Sequence, residues 1–258
     1  MAVQLYNISE EKISVIPRRF ERKFYIPPTS LGTAYGLLHH TCALAKEYPS
    51  EQINSLYFDT PDLEQYEKSE SGDYEKDKVR IRWYGKNGNE PGTKTVFLEL
   101  KSRRGFAGFK QRLKLQVPVE KLEESNLPGG IIPYPLIQKA LAKFGFFPSN
   151  ILIPVIQISY WRYRFVDILT NQSVSLDVRI SSQSVFPALY HLHRYIELPG
   201  GVIEVKGQTN EMSPALAELN ILGIDWSRFS KYSACIDAHV EKPGSTGFLS
   251  PSGRVLSY

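Results

Sequence analysis

The sequence predicts an α+β fold in which an antiparallel sheet of about eight strands closes into a barrel with flanking helices. Two observations predict this class. Apolar and polar residues alternate over short runs, the pattern of strands that bury one face. Helical patterns are fewer and do not alternate regularly with the strands, which argues against a βαβ nucleotide-binding fold. Neither a G-x-x-x-x-G-K-S/T nor a G-x-G-x-x-G motif is present, so no nucleotide-binding motif contradicts an antiparallel fold.

Alternation predicts nine strands, at residues 17–26, 53–59, 77–86, 94–102, 108–117, 151–166, 173–180, 194–199 and 202–207. Helical spacing and start signals predict five helices, at residues 31–46, 61–70, 135–144, 215–222 and 231–239. Gly, Asn and Pro predict a hairpin loop at 87–92 and a tight turn at 199–201. Ser230 precedes the last helix and is interpreted as its N-cap rather than as a nucleophile.

Length and composition indicate an ordinary globular chain. It has 258 residues, of which 42% are apolar and 22% charged, and we predict one domain over residues 1–242. Residues 243–258 are rich in Gly, Ser and Pro, which predicts a disordered tail. No apolar run is long enough for a membrane span, and the N-terminus lacks an export pattern. Cys42 and Cys235 have no metal-site spacing, and the expected location is the reducing cytoplasm.

The polar faces of the predicted strands carry an unusual excess of basic residues. They are Lys23, Arg80, Arg82, Lys101, Lys110, Arg112, Arg162 and Lys206. On three strands a glutamate stands two residues before a lysine, at Glu21, Glu99 and Glu204. An ordinary sheet with one wet face explains any single strand. The repetition favours a barrel lumen whose clustered cations need a polyanion to neutralise them. A polyphosphate is the natural candidate, because Arg binds phosphate oxygens as a fork and Lys binds them as a point charge. Carboxylates among these cations suit a hard divalent cation bridging phosphate oxygens.

Five segments carry a resemblance to a known family, in the family's order. They are SLYFDTPDLEQY (55–66), VRIRWYG (79–85), FLELK (97–101), VIEVKG (202–207) and FSKYSACI (229–236). Together they resemble the VTC domain, the catalytic module of vacuolar transporter chaperone polyphosphate polymerases. This family is a branch of the triphosphate tunnel metalloenzymes, which include the CYTH proteins. The resemblance extends from about residue 18 to residue 239, nearly the whole predicted domain.

The resemblance implies a tunnel that binds a triphosphate together with Mn²⁺ or Mg²⁺. Carried over by position, the residues expected to be catalytic are Arg80, Arg82, Lys101, Arg162 and Lys206. Those expected to bind substrate are Lys23, Lys110, Arg112 and Lys231. Glu21 and Glu99 are further tunnel carboxylates, and Glu204 is the expected metal ligand. The chain lacks the SPX module and membrane helices of the fungal proteins, so membrane tethering is expected to come from a partner protein.

Three functions stay open at this point. The favoured one is an ATP-dependent polyphosphate polymerase that transfers the γ-phosphoryl group to phosphate or polyphosphate. The second is a triphosphate hydrolase that uses the same cations with water as acceptor. The third is a non-catalytic barrel that binds a polyanion, either polyphosphate or RNA. The net charge of +4 is too small to require nucleic acid, and no nucleic-acid partner is expected. Tyr84 is a candidate contact for the adenine base.

Overall fold

The alternating runs form the strands of a mostly antiparallel sheet in the computed structural model, which describes residues 14–16, 20–85, 92–105, 107–189, 195–208, 214–222, 229–240, 248–249 and 255–256. The sheet strands are β1 (Ser14–Ile16), β2 (Phe20–Ile26), β3 (Cys42–Leu44), β4 (Ser50–Asp59), β5 (Glu75–Tyr84), β6 (Thr93–Arg104), β7 (Ala107–Pro118), β8 (Ile153–Asp167), β9 (Ser173–Ser184) and β10 (Tyr195–Gly207). The short strands β11 (Phe248–Leu249) and β12 (Val255–Leu256) pair with each other.

The helices are α1 (Leu31–Thr41), α2 (Glu64–Glu70), α3 (Tyr134–Lys143), α4 (Pro214–Ala217) and α5 (Lys231–Val240). Short 3₁₀ turns occur at residues 28–30, 119–122, 124–129, 187–189 and 218–222. In the described part of the chain, no helix is both long and apolar enough to cross a membrane.

The chain forms two compact units. Unit 1 comprises residues 1–17, 53–158 and 183–190, and unit 2 comprises residues 18–52, 159–182 and 191–258. The prediction of one domain over residues 1–242 stays a prediction.

The core of unit 1 is built from one face of β5, β6 and β7 together with α3. Val79, Ile81 and Trp83 of β5 are fully buried in it. Each side chain of this kind contributes roughly 1.5–3 kcal/mol when it leaves water. Because side chains alternate along a strand, this burial places Arg80 and Arg82 on the opposite face.

The core of unit 2 lies between α1 and strands β2, β9 and β10. Its buried side chains include Phe24 and Ile26 from β2, Leu38 from α1, Leu176 from β9 and Ile203 from β10. Alternation again leaves the charged residues of the same strands on the other face.

The prediction of a closed barrel is wrong. The hydrogen-bonded strand order is β1, β7, β6, β5, β4, β8, β9, β10, β2, with β3 pairing beside this path onto β8. Closure requires the two terminal strands to pair, and in the described residues β1 pairs only with β7 and β2 only with β10. An alternating pattern separates a buried from a polar face, and both open and closed sheets have such faces. The pattern therefore could not distinguish them.

Two local predictions are also wrong. The helix predicted over 31–46 ends at Thr41, because Cys42–Leu44 pair as β3 with Asp167–Phe165 of β8. The tight turn predicted at 199–201 is instead continuous strand β10. Gly200 has φ +77°, and a Cβ there would lie 2.3 Å from the Ile26 carbonyl oxygen. Gly200 therefore bends the strand without ending it.

Two further predictions fall largely outside the described residues. Only residue 92 of the predicted hairpin loop 87–92 is described, although β5 and β6 are antiparallel neighbours as a hairpin requires. Of the predicted disordered tail 243–258, only β11 and β12 are described.

Candidate functional site

Unit 1 holds a group of charged residues that we call the Glu99 cluster: Arg80, Arg82, Glu99, Lys110 and Arg112. The pairing of β5, β6 and β7 places Arg80, Glu99 and Arg112 directly opposite one another in one row. Directly opposed side chains have Cβ atoms about 5 Å apart, close enough for ion pairs. Arg82 and Lys110 lie two residues away along their strands, and so they share this face.

Glu99 is the centre of this cluster, and none of its side chain is exposed. Arg80 donates from Nε and Nη2 to Glu99 Oε2 over 2.9 and 2.8 Å. Lys110 Nζ lies 2.5 Å from Glu99 Oε1, and Arg112 Nη2 lies 3.6 Å from the same oxygen. A buried carboxylate thus holds three cations on one face of the sheet.

The charges shift the pKa values of both members of the Glu99–Lys110 pair. Burial alone would raise the pKa of Glu99, but Arg80, Arg82 and Lys110 lower it below the usual range. Burial lowers the pKa of Lys110 to about 7, and repulsion from Arg80 and Arg82 acts in the same direction against the attraction of Glu99. Glu99 is therefore ionised at neutral pH, whereas Lys110 titrates close to it.

Aromatic rings lie beside the cations of unit 1. The Arg112 guanidinium carbon lies 3.9 Å from the centre of the Phe97 ring, a cation–π contact that orients the guanidinium plane. Tyr84 meets the same ring edge-on, with ring centres 5.8 Å apart. Lys101 lies opposite Lys110 in the register of β6 and β7, so its position on this face follows from strand pairing. The proposed contact between Tyr84 and adenine stays a prediction.

Strand β4 supplies two hydroxyl groups that the sequence did not single out. Tyr57 Oη accepts a hydrogen bond from Arg80 Nη1 over 2.9 Å. Ser55 Oγ accepts one from Arg82 Nε over 3.1 Å. The signal was present in segment 55–66, but only the pairing of β4 with β5 reveals which residues face the arginines.

Unit 2 holds a second group, which we call the Glu204 cluster. Its members are Glu21, Lys23, Arg162, Asp177, Glu204, Lys206 and Lys231. The pairing of β2 with β10 places Lys23 opposite Glu204 and Glu21 opposite Lys206. Glu204 Oε2 accepts hydrogen bonds from Arg162 Nη2 over 2.9 Å and from Lys206 Nζ over 3.0 Å. Cross-strand pairs of opposite charge therefore build this cluster too.

Asp177 of β9 is a fully buried carboxylate of unit 2. Arg162 binds it with two parallel hydrogen bonds, of 2.6 Å from Nε and 2.7 Å from Nη2. Lys231 Nζ lies 2.6 Å from Asp177 Oδ2. Such a paired fork fixes both the position and the plane of the guanidinium. Asp177 thereby holds Arg162 and Lys231 in place.

A backbone irregularity lies next to Asp177. Arg179 has φ +53°, a left-handed conformation that is uncommon for residues other than glycine. Its side chain is exposed, although it lies two residues after the buried Asp177, a spacing that places side chains on one face of a regular strand. Both faces of β9 bury side chains before Arg179, Leu176 on one face and Asp177 on the other, and Ile180 and Ser182 are buried after it.

Lys231 is the first residue of α5, an unusual place for a cation. The positive end of the helix dipole lies there and disfavours positive charge. Asp177 and Glu204 offset this cost, with Glu204 Oε1 3.6 Å from Lys231 Nζ. Ser230 Oγ accepts a hydrogen bond from the Ser233 amide over 3.3 Å, which confirms the predicted N-cap.

Two carboxylates of unit 2, Asp177 and Glu204, have lowered pKa values. Burial alone would raise the pKa of Asp177, but Arg162 and Lys231 lower it. Burial acts the same way on Glu204, whose pKa is lowered well below its usual range by Lys206, Lys231, Arg162 and Lys23. Both groups are ionised and are weak bases at neutral pH.

The resemblance implies that Glu204 binds a divalent cation. The surroundings of its two carboxylate oxygens bear on that expectation. In the described residues, no group of three or more His, Cys, Asp or Glu side chains forms a metal site. Glu204 Oε1 lies 3.6 Å from Lys231 Nζ and 3.8 Å from Lys23 Nζ, beyond ordinary hydrogen-bond distance. Mg²⁺ is usually bound by one or two carboxylates plus substrate phosphates and water. Because Glu204 Oε1 is also ion-paired with Lys23 and Lys231, its role as a protein ligand of such a cation stays a prediction.

The expected site residues divide between the two units. Unit 1 brings together Arg80, Arg82, Lys110 and Arg112 around Glu99, with Lys101 on the same face by register. Unit 2 brings together Lys23, Arg162, Lys206 and Lys231 around Glu204, with Glu21 3.3 Å from Lys23. The structure adds Ser55, Tyr57 and the anchoring role of Asp177.

Comparison with solved structures gives weak likenesses. A proposed adenylate cyclase of Bacillus halodurans has a TM-score of 0.47 and 17% identity, over 81% of this chain and 91% of the other. A proposed adenylate cyclase of Vibrio parahaemolyticus has a TM-score of 0.34 and 10% identity, over 86% and 85%. The Mediator head module of Schizosaccharomyces pombe has a TM-score of 0.33 and 10% identity, over 80% and 92%. We draw no conclusion from likenesses this weak.

Comparison with protein families gives a definite result. No curated protein is a significant match to the chain. The model of the VTC domain matches residues 18–240, which include all members of both charged clusters. The family expected from the five sequence segments is therefore confirmed, and the chain belongs to the VTC domain family.

Proposed function

We propose that the chain is an ATP-dependent polyphosphate polymerase. In this reaction an oxygen of phosphate or polyphosphate forms a bond to the γ-phosphorus of ATP. The bond from that phosphorus to the β–γ bridging oxygen breaks, and ADP leaves with the electron pair. Membership of the VTC domain family supports an enzyme that acts on triphosphates. The choice of acceptor rests on the chemistry of the two clusters.

The charge of the Glu99 cluster supports a polyanionic substrate. Four cations, Arg80, Arg82, Lys110 and Arg112, face the single carboxylate of Glu99. Like charges at this distance repel one another unless an anion is present, and this repulsion from Arg80 and Arg82 adds to burial in lowering the pKa of Lys110. Phosphate oxygens would relieve that repulsion, with the arginines binding them as forks and Lys110 as a point charge.

The Glu204 cluster is more nearly balanced. Four cations, Lys23, Arg162, Lys206 and Lys231, accompany the carboxylates of Glu21, Asp177 and Glu204. Here Glu204 Oε1 would hold Mg²⁺ or Mn²⁺ together with substrate phosphates. Such a cation, when bound, neutralises charge that develops on the transferring phosphoryl group. Proteins of the triphosphate tunnel class generally use divalent metals. That the metal here is Mg²⁺ or Mn²⁺ is part of the proposal.

A polymerase is favoured over a hydrolase because the buried carboxylates are ion-paired with Lys and Arg side chains. Glu99, Asp177 and Glu204 each contact at least two cations, and their pKa values are lowered. A hydrolase needs a group that deprotonates or positions water, and these ionised, paired groups are poor bases. An anionic phosphate acceptor needs no such base and is attracted by the cations instead. The chemistry of the described residues thus favours phosphate over water.

The test is one incubation with ATP labelled at the γ-phosphate, Mn²⁺ or Mg²⁺, and a polyphosphate primer. We expect ADP and labelled chains longer than the primer on a gel. Release of orthophosphate without elongation would replace this proposal with a triphosphate hydrolase. Binding without any turnover would replace it with a non-catalytic polyanion-binding protein. Lys143→Gln, which neutralises an exposed lysine of α3 outside both clusters, is the matched control for charge variants.

A further inference from the structure

Segment 55–66 joins β4 to α2 and contacts the two arginines of β5. Ser55, Tyr57 and Asp59 alternate along β4 and therefore lie on one face of that strand. The register of β4 with β5 places Ser55 opposite Arg82 and Tyr57 opposite Arg80. The hydroxyl groups of this face thus meet the guanidinium groups of the next strand.

The two hydrogen bonds restrain different parts of the arginine pair. Tyr57 Oη accepts from Nη1 of Arg80, whose Nε and Nη2 are bound to Glu99. All three nitrogens of that guanidinium therefore have a partner within the protein. Ser55 Oγ accepts from Nε of Arg82 and so restrains that guanidinium where it joins the rest of the side chain. Ser55 is fully buried and Tyr57 nearly so, and both hydrogen bonds therefore lie away from bulk water.

The rest of the segment fixes the backbone beside the arginines. The buried carboxylate of Asp59 accepts hydrogen bonds from the amides of Thr60, Gln65 and Tyr66, over 2.7 to 2.9 Å. Two of these bonds satisfy backbone amides in the first turn of α2, which have no acceptor within the helix. The helix follows Leu63, a residue with a left-handed backbone conformation.

From that helix, Gln65 Oε1 accepts the amide hydrogen of Val79 over 3.1 Å, next to Arg80 and at the point where the pairing of β4 with β5 ends. The helix therefore secures the β5 backbone where its strand neighbour stops.

We propose that Ser55 and Tyr57 are positioning residues that orient Arg82 and Arg80 for phosphate. They act through the arginines and touch no substrate themselves in this scheme. A flexible arginine must be ordered when it binds a phosphate, and a side chain that is already held loses less freedom. This inference rests on the proposed function only in taking phosphate groups as the ligand of the arginines.

Tyr57→Phe and Ser55→Ala test the proposal, since each removes one hydroxyl group and little volume. We expect each to weaken the binding of tripolyphosphate, measured by calorimetry, by about threefold to tenfold, the value of one hydrogen bond. In turnover with ATP we expect each variant to raise KM and to change kcat little. The matched control is Tyr134→Phe, because Tyr134 Oη accepts a hydrogen bond from the Leu152 amide in the same unit. It should lower the melting temperature without weakening tripolyphosphate binding.

A second measurement needs no ligand and separates this inference from the proposed function. The guanidinium signals of Arg80 and Arg82 are recorded by ¹⁵N NMR in the free protein. Ser55→Ala should speed exchange of the Arg82 Nε proton with water, and Tyr57→Phe should speed rotation of the Arg80 Nη1 group. Unchanged guanidinium signals in both variants would overturn the proposal even if tripolyphosphate binds. Faster motion with undiminished binding would overturn it as well, whereas failure of elongation would count only against the polymerase.

Discussion

The Glu99 carboxylate lies 2.5 Å from the Lys110 ammonium, and none of the Glu99 side chain is exposed. We expect Glu99→Gln to lower the free energy of unfolding by about 3 to 5 kcal/mol, because it leaves several cations without their counter-ion. Tripolyphosphate should restore part of the lost stability by replacing the missing charge. Chemical denaturation with and without tripolyphosphate measures both effects. The control Glu123→Gln changes an exposed carboxylate of the same unit, and an equal loss in both variants would contradict the prediction.

The affinity for polyanions should depend on pH through Lys110. Its pKa is lowered to about 7, and a bound anion favours the charged form, so binding above neutral pH takes up a proton. Affinity should fall as the pH rises from about 7 to 9, by at most about tenfold per pH unit. The free energy of unfolding of the ligand-free protein should instead rise over the same pH range. The reason is that the unfolded state binds the Lys110 proton more tightly than the folded state does.

Calorimetry of tripolyphosphate binding in two buffers of different ionisation enthalpy measures the proton uptake. Lys110→Arg keeps the charge at every pH of interest and should remove the dependence that belongs to the protein. The titration of tripolyphosphate itself is common to both proteins and cancels in the comparison. Identical proton uptake by the two proteins would show that Lys110 does not titrate on binding.

Glu204→Gln should preserve the fold and lower metal-dependent turnover by about a hundredfold, the usual cost of losing one electrostatic contribution to a transition state. Glutamine keeps the shape of the side chain and can still accept a hydrogen bond from Arg162 or Lys206. It loses the charge that a divalent cation requires. Steady-state rates at graded Mn²⁺ concentrations, with circular dichroism for the fold, measure the outcome. An unchanged metal dependence would remove Glu204 from the metal site.

Asp177→Asn should destabilise unit 2 by about 3 to 5 kcal/mol, since it leaves Arg162 and Lys231 without their buried partner. The pKa of Asp177 is lowered in the folded protein. Its contribution is fully present above the unfolded value of about 3.9 and disappears as the pH falls through the lower folded value. Thermal unfolding at several acidic pH values should therefore depend less on pH in the variant. The exposed carboxylate of Asp73 provides the control Asp73→Asn, which should leave the acid dependence intact.

Tripolyphosphate should raise the melting temperature more than monophosphate does at matched ionic strength. A longer anion can contact more of the cations, and a ligand that binds only the folded state stabilises it according to its affinity. At a concentration of one hundred times Kd the gain is about 2.7 kcal/mol. Differential scanning fluorimetry with both anions provides the measurement. Equal shifts would indicate that the cations bind single phosphate groups independently.

The sequence predicted which residues carry charge on the polar faces, because alternation along a strand is a local property. It could not predict register, since pairing depends on strands that are distant in the chain. The contacts of Ser55 with Arg82 and of Tyr57 with Arg80 became visible only with that pairing. Closure of the sheet was predicted wrongly for the same reason.

The position of Lys231 at the start of α5 also bears on the order of folding. Asp177 and Glu204, which offset the cost of that cation, come from β9 and β10, far earlier in the chain. Until those strands have assembled, the first turn of α5 carries an unopposed positive charge at the positive end of its dipole. We therefore expect α5 to dock at a late stage of folding, after the long-range strand pairs have formed. Substitutions at Lys231 should consequently accelerate unfolding and leave the folding rate nearly unchanged.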